Sequence, residues 1–278
     1  MRVTAAVVLM LAACSSSPAG PDELDENDEF GGKADGPLGT GTTWANVGLG
    51  VAYQQVNTGH AVLIAYGGYS AQLAYSAAWA TELVDARLGA AEVGHVYAVK
   101  GPMDPGYDAR EIANTKLRAH LATIDDGTSP IYVVAHSSGS YVAHELLSQL
   151  YNAGDTAILS RIAYANLDGG SGGLTDALVA SVGKIAFVYA RDPTLGSGLS
   201  QNASTALGLG MTYAPHGAAF EVTEPMTGCT SGARWCLHDV VITHRPHNPS
   251  TYDLGHDYTD FTNRPVTTEY LEPLVSAP

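Results

Sequence analysis

Five short apolar runs divide the middle of this chain and leave little choice of architecture. They are Ala61-Val62-Leu63-Ile64-Ala65, His95-Val96-Tyr97-Ala98-Val99, Ile131-Tyr132-Val133-Val134-Ala135, Ile162-Ala163-Tyr164-Ala165 and Ile185-Ala186-Phe187-Val188-Tyr189. None alternates polar with apolar, so a strand made from any of them must be covered on both faces. Helical segments separate the first runs: Ala71 to Ala86, Asp108 to Asp125, and Ser138 to Leu150. In the second segment Ile112, Leu117 and Leu121 are read as one apolar face. Strand and helix in alternation predict an α/β fold with a mostly parallel sheet and helices on both faces. In such sheets ligands sit beyond the carboxyl ends of the strands, so chemistry is sought there.

The composition agrees with a packed domain: of 278 residues, 45% are hydrophobic and 15% charged, enough apolar side chains for a substantial core. The formal net charge is −15 with only 13 Lys and Arg, which disfavours nucleic acid as a partner. Much of the acid lies in one place. Between Pro21 and Gly36 stand Asp22, Glu23, Asp25, Glu26, Asp28, Glu29 and Asp35 against Lys33 alone. That stretch is read as a solvated, self-repelling spacer.

Residues 1–13 have the layout of a secretory signal: one positive charge at Arg2, an apolar run from Val3, then small residues. The run is too short to span a bilayer as a helix. Its end, Leu11-Ala12-Ala13-Cys14, resembles the lipobox of bacterial lipoproteins. The resemblance implies cleavage before Cys14 and lipids on its thiol and new amino terminus, enough chains for stable anchoring. With Ser15 after the cysteine, it also implies the outer membrane of a two-membrane host. Residues 14–42 are then the lipidated tether and 43–278 the soluble domain. Setting Cys14 aside leaves Cys229 and Cys236, which an oxidising compartment would let bond, closing a short loop.

The third apolar run leads into Ala135-His136-Ser137-Ser138-Gly139 and then a helix. This is the G-x-S-x-G pattern with Ala in its first place. Small residues two before and two after the serine let strand and helix pass closely, and the sharp turn exposes the hydroxyl. The next backbone N–H and the helix N-terminus point at the same spot. From about Thr43 onward the chain resembles the α/β-hydrolase fold on its lipase and esterase side. The resemblance implies Ser137 as nucleophile. It implies an oxyanion site built from the N–H of Ser138 and that of Gly68 or Tyr69, because Tyr66-Gly67-Gly68-Tyr69 resembles the His-Gly-X segment of lipases with Tyr in the His place.

It also implies an acid and then a histidine further along the chain. Asp192, after the fifth strand, stands at the usual position of the acid; Asp168, after the fourth, is the alternative. For the base, His238 follows the Cys229–Cys236 loop and precedes an apolar stretch, with His256 and His247 as alternatives; His216 and His244 also follow the acid. The Cys-x6-Cys loop partly resembles cutinases, but it lacks the acid that cutinases carry there. His136 and His144 are read as packing residues. His244, His247, Asp253, His256 and Asp257 lack a helical ligand spacing, so no metal is expected. No cofactor is expected either.

The reading is an envelope-anchored serine hydrolase acting on a small-molecule, lipid or polyester ester. Two alternatives stay open: an acyltransferase using the same triad, and an inactive hydrolase scaffold that serves as a surface binding module.

Overall fold

The computed structural model describes residues 44–69, 71, 73–84, 93–102, 109–195, 198–214, 216–223, 237–238 and 240–243. The signal, Cys14 and the tether lie outside these, as do Cys229, Cys236, His244, His247, Asp253, His256 and Asp257.

The chain opens with β1 (Ala45–Gly48), β2 (Val51–Gln55) and β3 (Ala61–Tyr66), followed by α1 (Leu73–Leu83) and β4 (Val93–Val99). Then come α2 (Ala109–Ile124), β5 (Ile131–His136), α3 (Gly139–Asn152) and the short α4 (Thr156–Leu159). β6 (Ile162–Leu167), α5 (Asp176–Ser181) and β7 (Lys184–Asp192) complete the expected series. Beyond them lie β8 (Gly198–Leu199), α6 (Ala203–Thr212), β9 (Gly217–Thr223) and α7 (Val240–Thr243).

The nine strands among the described residues form one sheet in the order β1-β2-β4-β3-β5-β6-β7-β8, with β9 also paired to β7. β4, β3, β5, β6, β7 and β9 are parallel; β1, β2 and β8 join antiparallel. The five apolar runs are β3 to β7. Each is buried because the sheet is covered twice. Leu63, Ala65, Val96, Ala98, Val134 and Ala165 pack on one face with Trp79 and Leu83 of α1. Val62, Ile64, Tyr97, Val133, Tyr164 and Phe187 face the other, against α2, α3, α5 and α6. Alternate residues of one strand serve opposite cores, which is why polar positions are missing from both.

One part of the α2 reading is corrected. Leu117 and Leu121 are buried, but Ile112 is 47% exposed and Ala113 takes its place inward. Residues 113, 117 and 121 recur every fourth position and share a face. Residue 112 lies five before Leu117, about 140° round the helix. Among the described residues, no helix is long and apolar enough to cross a membrane.

Candidate active site

β5 is buried along its whole length, and at its end the backbone turns sharply. Ser137 has φ +53°, in the left-handed region, a conformation that costs a residue with a side chain about 1–3 kcal/mol. The surroundings hold it there. Ser137 N–H donates to the Leu167 carbonyl at 3.0 Å, and Ser140 donates to the Ser137 carbonyl through both N–H (3.1 Å) and Oγ (2.7 Å). α3 begins at once, at Gly139. A Cβ on Gly139 would lie 2.4 Å from the Gly67 carbonyl oxygen and 2.7 Å from that of Tyr66. Glycine is therefore required at this position because β3 passes directly in front of the helix. Ala135 is fully buried, and its methyl group is part of the core under α3.

Tyr66 pairs with Ala135, so Gly68, two residues further along, comes level with Ser137. Ala71 N–H donates to the Gly68 carbonyl at 3.0 Å. A Cβ on Gly101, just past β4, would meet that same oxygen at 1.7 Å. The segment is thus pressed into a tight turn beside the serine. Tyr69, the next residue, is 48% exposed. Tyr66 itself points the other way: it is fully buried, and its hydroxyl donates to Asn114 Oδ1 at 2.9 Å. Asn114 in turn donates to the Val142 carbonyl at 2.7 Å. The tyrosine in the lipase His place is a core residue tying α2 and α3 to β3.

The two aspartates lie at different depths. Leu167 pairs with His136 on one side and Val188 on the other, and Asp168 N–H donates to the Val188 carbonyl at 2.7 Å. Asp168 therefore stands in the same layer as Ser137. Asp192 lies four residues beyond Val188, about 13 Å further along the strand direction. Its Oδ1 accepts from Thr194 N–H at 2.8 Å and Thr194 Oγ at 2.6 Å, closing the turn that follows β7. The expectation that Asp192 holds the histidine is not met.

Asp168 takes that place. It is fully buried at φ +44°, and its Oδ2 lies 2.5 Å from His238 Nδ1. Its other oxygen, Oδ1, accepts from Ser200 Oγ at 2.6 Å and Asn202 N–H at 3.1 Å.

His238 is 1% exposed. Its turn is anchored by Leu237, Val241 and Ile242, which are buried in the α1-side core. The ring packs on that of His136, the residue before the serine, with centroids 4.7 Å apart. His136 Nε2 lies 3.3 Å from the His238 carbonyl oxygen, placed to donate to it. His136 is thus more than packing: it joins the His238 turn to the end of β5.

His144 is a core residue, as expected. Its Nδ1 donates to the Gly172 carbonyl at 2.7 Å, and its Nε2 accepts from the Tyr164 hydroxyl at 2.9 Å. Burial lowers its pKa to about 4. His216 is exposed before β9. Among the described residues, no three His, Cys, Asp or Glu side chains are grouped to hold a metal ion.

Nothing in the sequence marks Ser200, Asn202, Ser140 or His136 as partners of the site. Serine and asparagine after a strand carry no distinctive sequence signal, because turns use the same residues.

No protein-family profile matches the chain, and no curated protein matches it. Solved structures do align. A thermostable esterase aligns at 14% identity over 81% of this chain and 58% of its own, with a TM-score of 0.47. A thermophilic carboxylesterase cloned from a metagenomic library aligns at 12% identity over 71% and 82%, with a TM-score of 0.45. Carboxylesterase CesB of Bacillus subtilis aligns at 10% identity over 68% and 85%, with a TM-score of 0.42. The chain's own topology carries the assignment. A serine held at positive φ between a strand and a helix, at the carboxyl edge of a doubly covered, mostly parallel sheet, is an arrangement of the α/β-hydrolase fold, and this chain has that fold.

Proposed function

We propose that the protein hydrolyses carboxylic esters, with Ser137 as nucleophile, His238 as general base and Asp168 as the acid that orients it. The observation that carries this reading is the buried His238–Asp168 pair, 2.5 Å apart, with Asp168 in the same layer as a serine strained at φ +53°. A buried carboxylate on Nδ1 selects the tautomer in which Nε2 accepts a proton. His238 Nε2 takes the proton from Ser137 Oγ as that oxygen bonds to the ester carbonyl carbon. The carbonyl electrons move onto oxygen, where the N–H of Ser138 and that of Gly68 or Tyr69 stabilise the charge. The carbon–oxygen bond to the alcohol then breaks, and His238 returns the proton to the departing oxygen. Water repeats the sequence on the acyl-serine and frees the acid. The Asp168 carboxylate orients and stabilises the imidazolium.

The enzyme acts at the cell envelope, held there by lipid on Cys14. Support comes from the charged start, the short apolar run and the small residues before that cysteine. A Cys229–Cys236 disulfide steadies the segment ahead of His238. Incorporation of a tagged fatty acid into the full chain but not into Cys14→Ser tests the anchor.

The activity is tested on the full chain with short-chain nitrophenyl esters and an active-site-directed phosphonate. Hydrolysis and labelling are expected in the parent and absent in Ser137→Ala. A folded parent that neither turns over nor labels would overturn the reading in favour of a binding role.

A further inference from the structure

The acid is held by a part of the chain with no counterpart among the five expected β–α units. Arg191 of β7 pairs with Thr223 of β9 on one edge and with Leu199 of β8 on the other. β8 must therefore lie on the edge that faces β6. β6 has already ended there, at Leu167, and Asp168 follows. β8 thus fills the strip of β7 that β6 leaves open, directly beyond Asp168.

This return delivers three donors to one residue. Ser200 Oγ donates to Asp168 Oδ1 at 2.6 Å, Asn202 N–H donates to the same oxygen at 3.1 Å, and Asn202 Nδ2 donates to the Asp168 carbonyl at 2.6 Å. Ser200 is in turn fixed to β7. Its N–H donates to the Ala190 carbonyl at 2.9 Å, and its Oγ accepts from Ala190 N–H at 3.0 Å. Because that oxygen accepts from Ala190, its own proton is directed to Asp168. Ser200 and Asp168 are 2% and 0% exposed, so water does not substitute for either bond. With Oδ1 tied down twice and the backbone pinned at φ +44°, Oδ2 is left facing His238.

We infer that Ser200 and Asn202 are positioning residues for the acid: they set the direction of the Asp168 carboxylate and thereby the alignment of the His238 imidazole. The inference rests on the triad reading given above, but its geometry is independent of the substrate.

The test compares the full chain with Ser200→Ala, Ser200→Thr and Asn202→Ala. The first readout is the far-downfield proton resonance of the His238 Nδ1–Asp168 bond, assigned by its loss in Asp168→Asn. It needs no turnover. The second readout is kcat and KM on a nitrophenyl ester. Loss of a hydrogen bond to a charged group predicts that Ser200→Ala lowers kcat by about tenfold or more, with KM changed less than about twofold. The resonance should shift or broaden. Ser200→Thr, which keeps the hydroxyl, should restore both, and Asn202→Ala should move both in the same direction as Ser200→Ala. A folded Ser200→Ala with unchanged kcat and unchanged resonance overturns the inference. If the parent neither turns over nor labels while Ser200→Ala still moves the resonance, the positioning role stands and the ester reading fails.

Discussion

Gly139 and Gly67 approach so closely that a Cβ on Gly139 would lie 2.4 Å from the Gly67 carbonyl oxygen. The first residue of α3 and the first residue past β3 are thus in direct backbone contact. The turn that raises Ser137 and the segment that offers Gly68 and Tyr69 cannot move independently.

Gly139→Ala should therefore disturb both. The obstruction is backbone, not the end of a flexible side chain, so the strand must shift. Overpacking of this kind costs about 1–3 kcal/mol. Thermal unfolding should show the loss, and ester hydrolysis should fall further than the stability change accounts for.

Exchanging the two aspartates separates their roles. Asp168→Asn should lower kcat roughly a thousandfold or more, because an amide no longer holds the imidazole in the required tautomer. Asp192→Ala should keep activity within about threefold and cost about 1–2 kcal/mol of stability through lost turn bonds. Steady-state kinetics beside urea unfolding checks both outcomes.

Tyr66→Phe should leave kcat and KM nearly unchanged while destabilising the fold by about 1–2 kcal/mol, because it strands the buried Asn114 carbonyl. A large kcat loss without destabilisation would show that Tyr66 acts on the site rather than on the core.

His144 predicts a pH effect on stability. Burial lowers its pKa from 6.5 to about 4 in the folded state, so folding disfavours the charged form. The contribution is fully present above pH 6.5 and is lost as pH falls toward 4, amounting to roughly 3 kcal/mol. Across that window the stability advantage of the parent over His144→Gln, measured by urea unfolding at each pH, should shrink by about that amount.

The β3 to β7 runs were legible along the chain because each is almost continuously apolar, His95 being the one polar residue among them, and burial on both faces leaves no other use for such a run. β1, β2, β8 and β9 were not. They are edge or short strands, partly exposed, and their residues carry no continuous apolar signature. The turn at Ser137 was legible for a local reason. A serine at positive φ with a helix close behind it needs small neighbours within two residues, and Ala135 and Gly139 are both present.

The acid could not be chosen that way. Asp168 and Asp192 both stand at the carboxyl end of a parallel strand and precede turn residues, so local composition does not separate them. What separates them is register. β7 runs four residues past the level at which β6 ends, which carries Asp192 out of the layer of Ser137 and leaves Asp168 within it. Register, and the edge of β7 that β8 occupies, are properties of paired strands distant in sequence. The chain's own order settled β3 to β7, the covered sheet they form and the serine turn. The partner of His238 was settled by how far one strand overshoots another.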